Sequence, residues 1–166
     1  ILAQDFDYIR IYDSSQHAET VLRVIDDEQL DLKVLLGMGT QGEISNPHCA
    51  WGGLLSDHQI QANIQFNNEE LERAIELCRT YQDHLIGISV GNENTPLWND
   101  RLVDPNRLLY FVRELKQAVD VPVTYCDNHA SWHDYLGDLA EEVDFISIHS
   151  YPAWVGVALE HALRHS

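Results

Sequence analysis

The sequence predicts an α/β fold built on a parallel sheet, because short apolar segments alternate with helical segments along the chain. No internal repeat, low-complexity tract or flexible linker interrupts the 166 residues, so we expect a single domain over residues 1–166. Apolar runs with the length of strands occur at Tyr8–Tyr12, Leu32–Leu36, Leu85–Val90, Val121–Tyr125 and Phe145–His149.

Helical periodicity separates these strands. The segment Glu69–Tyr81 places its apolar residues on one face. The clearest helix has Asp104 as its N-cap and Pro105 in its first turn, and it ends before Pro122. Two shorter helices are predicted at Trp132–Ala140 and Val157–Leu163.

Composition excludes several function classes. The net charge of −17 would repel a phosphate-rich partner, so we expect no nucleic acid but leave neutral polysaccharides open. The three cysteines are too widely spaced for a metal knuckle or a disulfide framework, and no motif indicates a metal site or a nucleotide cofactor. No apolar run is long enough to span a bilayer. The first residues run directly into a strand, and we expect the chain to be part of a larger protein.

Polar and aromatic residues collect just after the strands. Ligands of parallel α/β folds bind at the carboxyl ends of strands, so we expect these side chains to share one cleft. The connection from Gly37 to Ile60 is either a wall or lid over that cleft or a surface loop that packs on itself. The residues that follow the strands include Tyr12, Asn92, Glu93, Asp127, His149 and Tyr151.

Glu93 is the first candidate for a catalytic acid/base, since it follows a buried strand that ends in Gly91 and Asn92. Cleavage of a glycosidic bond needs one carboxylic acid to protonate the leaving oxygen and a second carboxylate opposite it. Asn92 is placed to contact a sugar hydroxyl. The rings of Tyr12, Tyr151 and Trp154 are apolar faces on which sugars stack.

Two further polar residues have open interpretations. Arg10 interrupts an apolar strand, and it either pairs with a carboxylate inside the sheet or extends to solvent. His149 either bonds a sugar or a carboxylate, or it is a structural histidine.

The chain resembles glycoside hydrolase family 17, whose members are mostly β-1,3-glucanases and related transglycosylases. The strings that carry the resemblance are YIRIYDSS, LKVLLGMG, ISVGNE, VPVTYCDNHASW and DFISIHSYPAW. The resemblance implies a (β/α)8 TIM barrel in which Glu93 is the general acid/base, Asn92 contacts the sugar next to the scissile bond, and Tyr12 and Tyr151 line the cleft. It also implies a parent protein that is secreted, periplasmic or membrane-associated.

The chain departs from the family in lacking the nucleophile, a second Glu that such barrels carry at the end of the seventh strand. Counted by resemblance, the chain holds strands two to six, and a complete barrel needs roughly 250 residues. We therefore expect a partial barrel that is inactive by itself.

The interpretation favoured by the sequence is a retaining glycosidase acting on β-glucan, with hydrolysis or transglycosylation as the outcome. One alternative is a non-catalytic carbohydrate-binding or scaffolding barrel. Another is a module of a membrane glucan synthase.

Overall fold

The computed structural model describes residues 2–165 and contains a five-stranded parallel sheet that curls into a half-barrel. The strands lie in sequence order, each hydrogen-bonded to the next, and β1 and β5 form the two edges. The α/β fold class and the parallel sheet are confirmed. The strands are β1 (Tyr8–Arg10), β2 (Lys33–Gly37), β3 (Leu85–Asn92), β4 (Val123–Asn128) and β5 (Ser147–His149).

Helices connect the strands and cover one face of the sheet. Short 3₁₀ turns lie at Gln82–His84, Pro152–Val155 and Leu159–His161. The α-helices are α1 (Leu2–Asp5), α2 (Gln16–Asp27), α3 (Asp57–Thr80), α4 (Pro105–Ala118), α5 (His129–Asp134), α6 (Gly137–Glu142) and α7 (Ala162–His165). None of the helices in residues 2–165 has the length and apolar character needed to cross a membrane.

Helix α4 begins where the sequence predicted. The Asp104 carboxylate accepts a hydrogen bond from the Asn106 backbone N–H at 2.8 Å, and Pro105 occupies the first turn, where no N–H is needed. Helix α3 begins twelve residues before the predicted Glu69. Its start is fixed by a capping box between Ser56 and Gln59 rather than by apolar periodicity.

Two shorter predicted helices have different boundaries. The segment Trp132–Ala140 is divided into α5 and α6, because Asn128 caps α5 four residues earlier and its side chain accepts from the Ser131 N–H at 2.9 Å. The segment Val157–Leu163 forms a 3₁₀ turn followed by α7.

The hydrophobic core lies between the sheet and the helices. Side chains alternate along each strand, so one face of β4 packs into this core and the other faces the concave side of the half-barrel. Tyr125 is buried against Trp132, with ring centroids 5.9 Å apart, whereas the Cys126 thiol donates to Ser147 Oγ on β5 at 3.0 Å. The concave side is therefore lined by polar groups.

Candidate active site

Glu93 lies immediately after β3, at its carboxyl end, with a backbone φ of 52°. This left-handed conformation is uncommon for a residue with a side chain, and residues forced into it cluster at functional sites. Hydrogen bonds fix the backbone of Glu93 on both sides. Its N–H donates to the Cys126 carbonyl at 2.8 Å, and the Asn99 side-chain amide donates to the Glu93 carbonyl. The Glu93 side chain is 15% exposed and points into the half-barrel toward β5.

Side chains from three strands meet at Glu93. Its Oε1 lies 3.0 Å from His149 Nδ1 at the end of β5. The Arg10 guanidinium donates through Nη1 to His149 Nε2 at 2.9 Å and through Nη2 to Asn92 Oδ1 at 2.8 Å. We call Arg10, Asn92, Glu93 and His149 the polar cluster.

Neighbouring groups act on the protonation of His149 in opposite directions. Hydrogen bonding to Cys126 and then to Glu93 raises the pKa of His149 to about 9, against burial and the positive charge of Arg10. In the neutral form of His149, Nε2 accepts from Arg10 Nη1 and the ring proton lies on Nδ1, facing Glu93. Protonation of Nε2 turns that acceptor into a donor and breaks the bond to Arg10. Burial raises the pKa of Cys126, but hydrogen bonds to His149, Ser147 and Ser89 outweigh it, and the net pKa is lowered.

Aromatic rings extend the polar cluster on both sides. The Arg10 guanidinium lies 4.4 Å from the centroid of the Tyr12 ring. On the other side the ring centroids of His149 and Tyr151 are 6.0 Å apart, and those of Tyr151 and Trp154 are 6.4 Å apart. All three aromatic rings are exposed, so they present free faces at the open end of the half-barrel.

Asp127 is placed differently from the sequence expectation. It is 0% exposed and points into the helix-covered side of β4, away from the polar cluster. Its Oδ2 accepts from Thr95 Oγ1 and from the Tyr125 hydroxyl, both at 2.6 Å. The Tyr125 hydroxyl in turn accepts from the Asn94 N–H at 2.6 Å, so Asp127 anchors the segment that follows Glu93. The physical reason is alternation, because Cys126 already occupies the concave side of β4.

Sequence reasoning missed the contribution of Cys126, Ser147 and Asn94. Asn94 is buried, and its side chain accepts from the Asn92 N–H at 2.8 Å and donates to the Arg101 carbonyl at 2.9 Å. Its position directly after Asn92 and Glu93 was the only signal available. The long connection after β2 packs against the loop after β3, since the Glu43 N–H donates to the Leu102 carbonyl at 2.9 Å.

Several solved structures share this fold, and among them are a laminarinase and a β-1,3-glucanosyltransferase. An endo-laminarinase from Formosa Hel1_33_131 is 26% identical, with a TM-score of 0.70 over 90% of this chain and 42% of its own length. A glycoside hydrolase family 17 β-1,3-glucanosyltransferase from Rhizomucor miehei is 17% identical, with a TM-score of 0.69 over 98% of this chain and 53% of its own. An active-site mutant of the Rhizomucor miehei enzyme in complex with laminaritriose aligns at 18% identity and a TM-score of 0.67, over 95% of this chain and 51% of its own.

The chain thus spans about half, or less, of the structures it matches. No protein-family model matches it, and a search of curated proteins finds no significant match. The fold that the resemblance to family 17 predicts is confirmed by these structural neighbours, which match this chain over 90–98% of its length. The chain has a glycosidase fold like that of glycoside hydrolase family 17, in the form of a partial (β/α)8 barrel.

Proposed function

We propose that residues 1–166 are part of the catalytic domain of a retaining glycosidase that acts on β-1,3-linked glucan, with Glu93 as its general acid/base. The observation that carries this proposal is the position of Glu93. It stands at the carboxyl end of a barrel strand, largely buried, in contact with His149 and between exposed aromatic rings. The similar structures include a laminarinase and a β-1,3-glucanosyltransferase, which supports the choice of substrate.

Asn92 serves as the sugar-binding neighbour of Glu93. Its Oδ1 accepts from Arg10, which orients the amide so that Nδ2 is the group offered to a sugar hydroxyl. Tyr12, Tyr151 and Trp154 supply flat apolar faces on which glucose rings stack. The acidic composition suits a neutral polysaccharide and disfavours nucleic acid. The proposed chemistry uses no metal or cofactor.

A second carboxylate is needed as nucleophile, roughly 5 Å from Glu93. In residues 2–165 no carboxylate forms an ion pair with Arg10, and the Nε of Arg10 is buried without a hydrogen-bond partner. We propose that the nucleophile approaches Arg10 from a strand paired beyond the edge of β5 and outside this chain. Arg10 would then hold that carboxylate ionised.

In the proposed reaction the proton shared by His149 and Glu93 passes through Glu93 to the departing glycosidic oxygen and leaves His149 neutral, while the nucleophile forms a glycosyl-enzyme. Glu93 then removes a proton from the attacking group. Water as the attacking group gives hydrolysis, and a sugar hydroxyl gives transglycosylation.

The test is the dependence of the Glu93→Gln variant on the leaving group, measured in the full-length protein. Loss of the acid should lower kcat/KM on laminarin by about 100- to 10,000-fold, and much less on an aryl β-glucoside whose leaving group needs no proton. Glu72→Gln, an exposed change on α3, is the matched control and should leave both rates unchanged.

Equal losses on the two substrates would make Glu93 a binding or structural carboxylate. A wild-type protein that binds laminarin but cleaves no β-glucan would identify a non-catalytic carbohydrate-binding barrel.

A further inference from the structure

Two tryptophans lie side by side on the surface near the carboxyl ends of the strands. Trp51 is 68% exposed and Trp98 is 47% exposed. Their ring centroids are 6.3 Å apart, and the ring planes are tilted by 46°. Trp51 belongs to the connection after β2 and Trp98 to the loop after β3, so the pair is assembled by tertiary structure. We call it the tryptophan platform.

The two loops that carry the tryptophan platform are fixed to one another. Asn46 is 1% exposed, and its side-chain amide donates to the Leu97 carbonyl at 2.8 Å and to the Asn99 carbonyl at 2.7 Å. The Asn46 N–H also donates to the Gly53 carbonyl at 2.6 Å, which closes the turn that bears Trp51. Gly53 has a φ of 87°, a conformation open to glycine. The loop segments that bear the two rings are therefore fixed to one another without a ligand.

The loop that carries Trp98 also contacts the proposed active site. Asn99, the residue after Trp98, donates its side-chain amide to the Glu93 carbonyl. Trp98 also lines a cavity of about 560 Å³ at the ends of β3 and β4, together with Pro96, Leu97 and Tyr135. This volume lies within the range of roughly 300–1,000 Å³ that is typical of small-ligand sites.

The chemistry of the platform selects a neutral ligand with flat apolar faces. Covering an exposed indole ring removes apolar surface from water, which favours binding. Sugar rings present C–H faces of matching size. The net charge of −17 disfavours an anionic ligand.

We propose that the tryptophan platform is an additional glucan subsite, which binds sugar units of a long β-1,3-glucan beyond those held at Glu93. This inference rests on the proposed function and adds to it. The platform would increase affinity only for chains long enough to reach it, so its contribution depends on substrate length.

The experiment measures binding of laminaritriose and laminarihexaose by titration calorimetry to the full-length protein carrying Glu93→Gln, which prevents turnover. Trp51→Ala and Trp98→Ala are introduced separately, and Trp98→Leu keeps an apolar side chain without the flat ring. Tyr110→Ala removes an exposed aromatic ring on α4 and is the matched control. Thermal unfolding of each variant verifies that it is folded.

Covering roughly 60 Å² of indole corresponds to about tenfold in affinity, so each tryptophan variant should bind laminarihexaose about tenfold more weakly. Laminaritriose affinity should change by less than about twofold, and Tyr110→Ala should change neither.

Unchanged hexaose affinity in all the tryptophan variants would overturn the platform while leaving the function of Glu93 intact. Equal weakening for both lengths would assign the tryptophans to the subsites at Glu93 and also overturn it. A wild-type protein that neither binds nor cleaves these glucans would overturn the proposed function itself.

Discussion

Asp127→Asn removes a buried charge from the network that anchors the segment after Glu93. The carboxylate accepts four hydrogen bonds, two hydroxyl bonds on Oδ2 and two from Asn128 on Oδ1. Burial raises the pKa of Asp127, although the hydrogen bonds oppose that shift. An asparagine has only one acceptor oxygen, so in either orientation two of the donors face an NH₂ group.

The size of the effect follows from those two bonds. Each hydrogen bond to a charged group contributes about 1.5–3 kcal/mol. Removing the buried charge offsets part of the loss, because its desolvation is relieved. We therefore expect Asp127→Asn to lower the free energy of unfolding by about 2–4 kcal/mol. Thr95→Ala removes one donor and should cost about 1–2 kcal/mol. The double variant should lose less stability than the sum of the losses in the two single variants, since the two groups share one network.

Urea denaturation of each variant measures these differences, with the exposed Asp120→Asn as the matched control. Glucan affinity should stay near the wild-type value, because Asp127 does not face the cleft. An Asp127→Asn variant within about 0.5 kcal/mol of the wild type would refute the network argument. Loss of glucan binding without loss of stability would return Asp127 to the substrate-binding residues.

Three further predictions concern pH, packing and activity. The pKa of His149 is raised from 6.5 to about 9 in the folded protein. The stabilisation of the fold by protonated His149 is therefore fully present below pH 6.5 and is lost as the pH rises toward 9. The stability advantage of the wild type over His149→Asn should thus fall by about 1–2 kcal/mol across that range after allowance for solvent screening, and a constant difference would contradict it. Gly37→Ala should destabilise by about 1–3 kcal/mol in urea, because the new Cβ would lie 2.6 Å from the Ile11 carbonyl oxygen, whereas Gly137→Ala, with open space around it, should be neutral or stabilising. The isolated chain should not hydrolyse β-glucan, and measurable retaining hydrolysis would place the nucleophile within it.

The order and direction of the strands could be predicted because each strand is a short apolar run bounded by polar residues. The position of Glu93 followed from the same pattern, since a residue directly after a buried parallel strand has to reach the rim. Helix α2 was also predictable from its own sequence. Ser15 caps it, and Ala18, Leu22 and Ile25 form its buried stripe.

Other features depend on contacts that no local pattern encodes. The first half of α3 has few buried residues, and Asn67 and Glu70 are buried polar groups that apolar periodicity overlooks. Arg10 and His149 are 139 residues apart, so their pairing needs the register of the whole sheet. The inward direction of Cys126, and hence the outward direction of Asp127, is likewise set by that register.

The role of Glu93 is tested most directly by azide rescue of Glu93→Ala in the full-length protein on an activated aryl β-glucoside, with the anomeric configuration of the product read by proton NMR. If Glu93 is the acid/base, the glycosyl-enzyme still forms, and azide occupies the space of the lost carboxylate and attacks from that side. The product predicted is the β-glycosyl azide, with a rate that rises with azide concentration. An α-glycosyl azide would identify Glu93 as the nucleophile instead, and no rescue with either product would remove it from the chemistry.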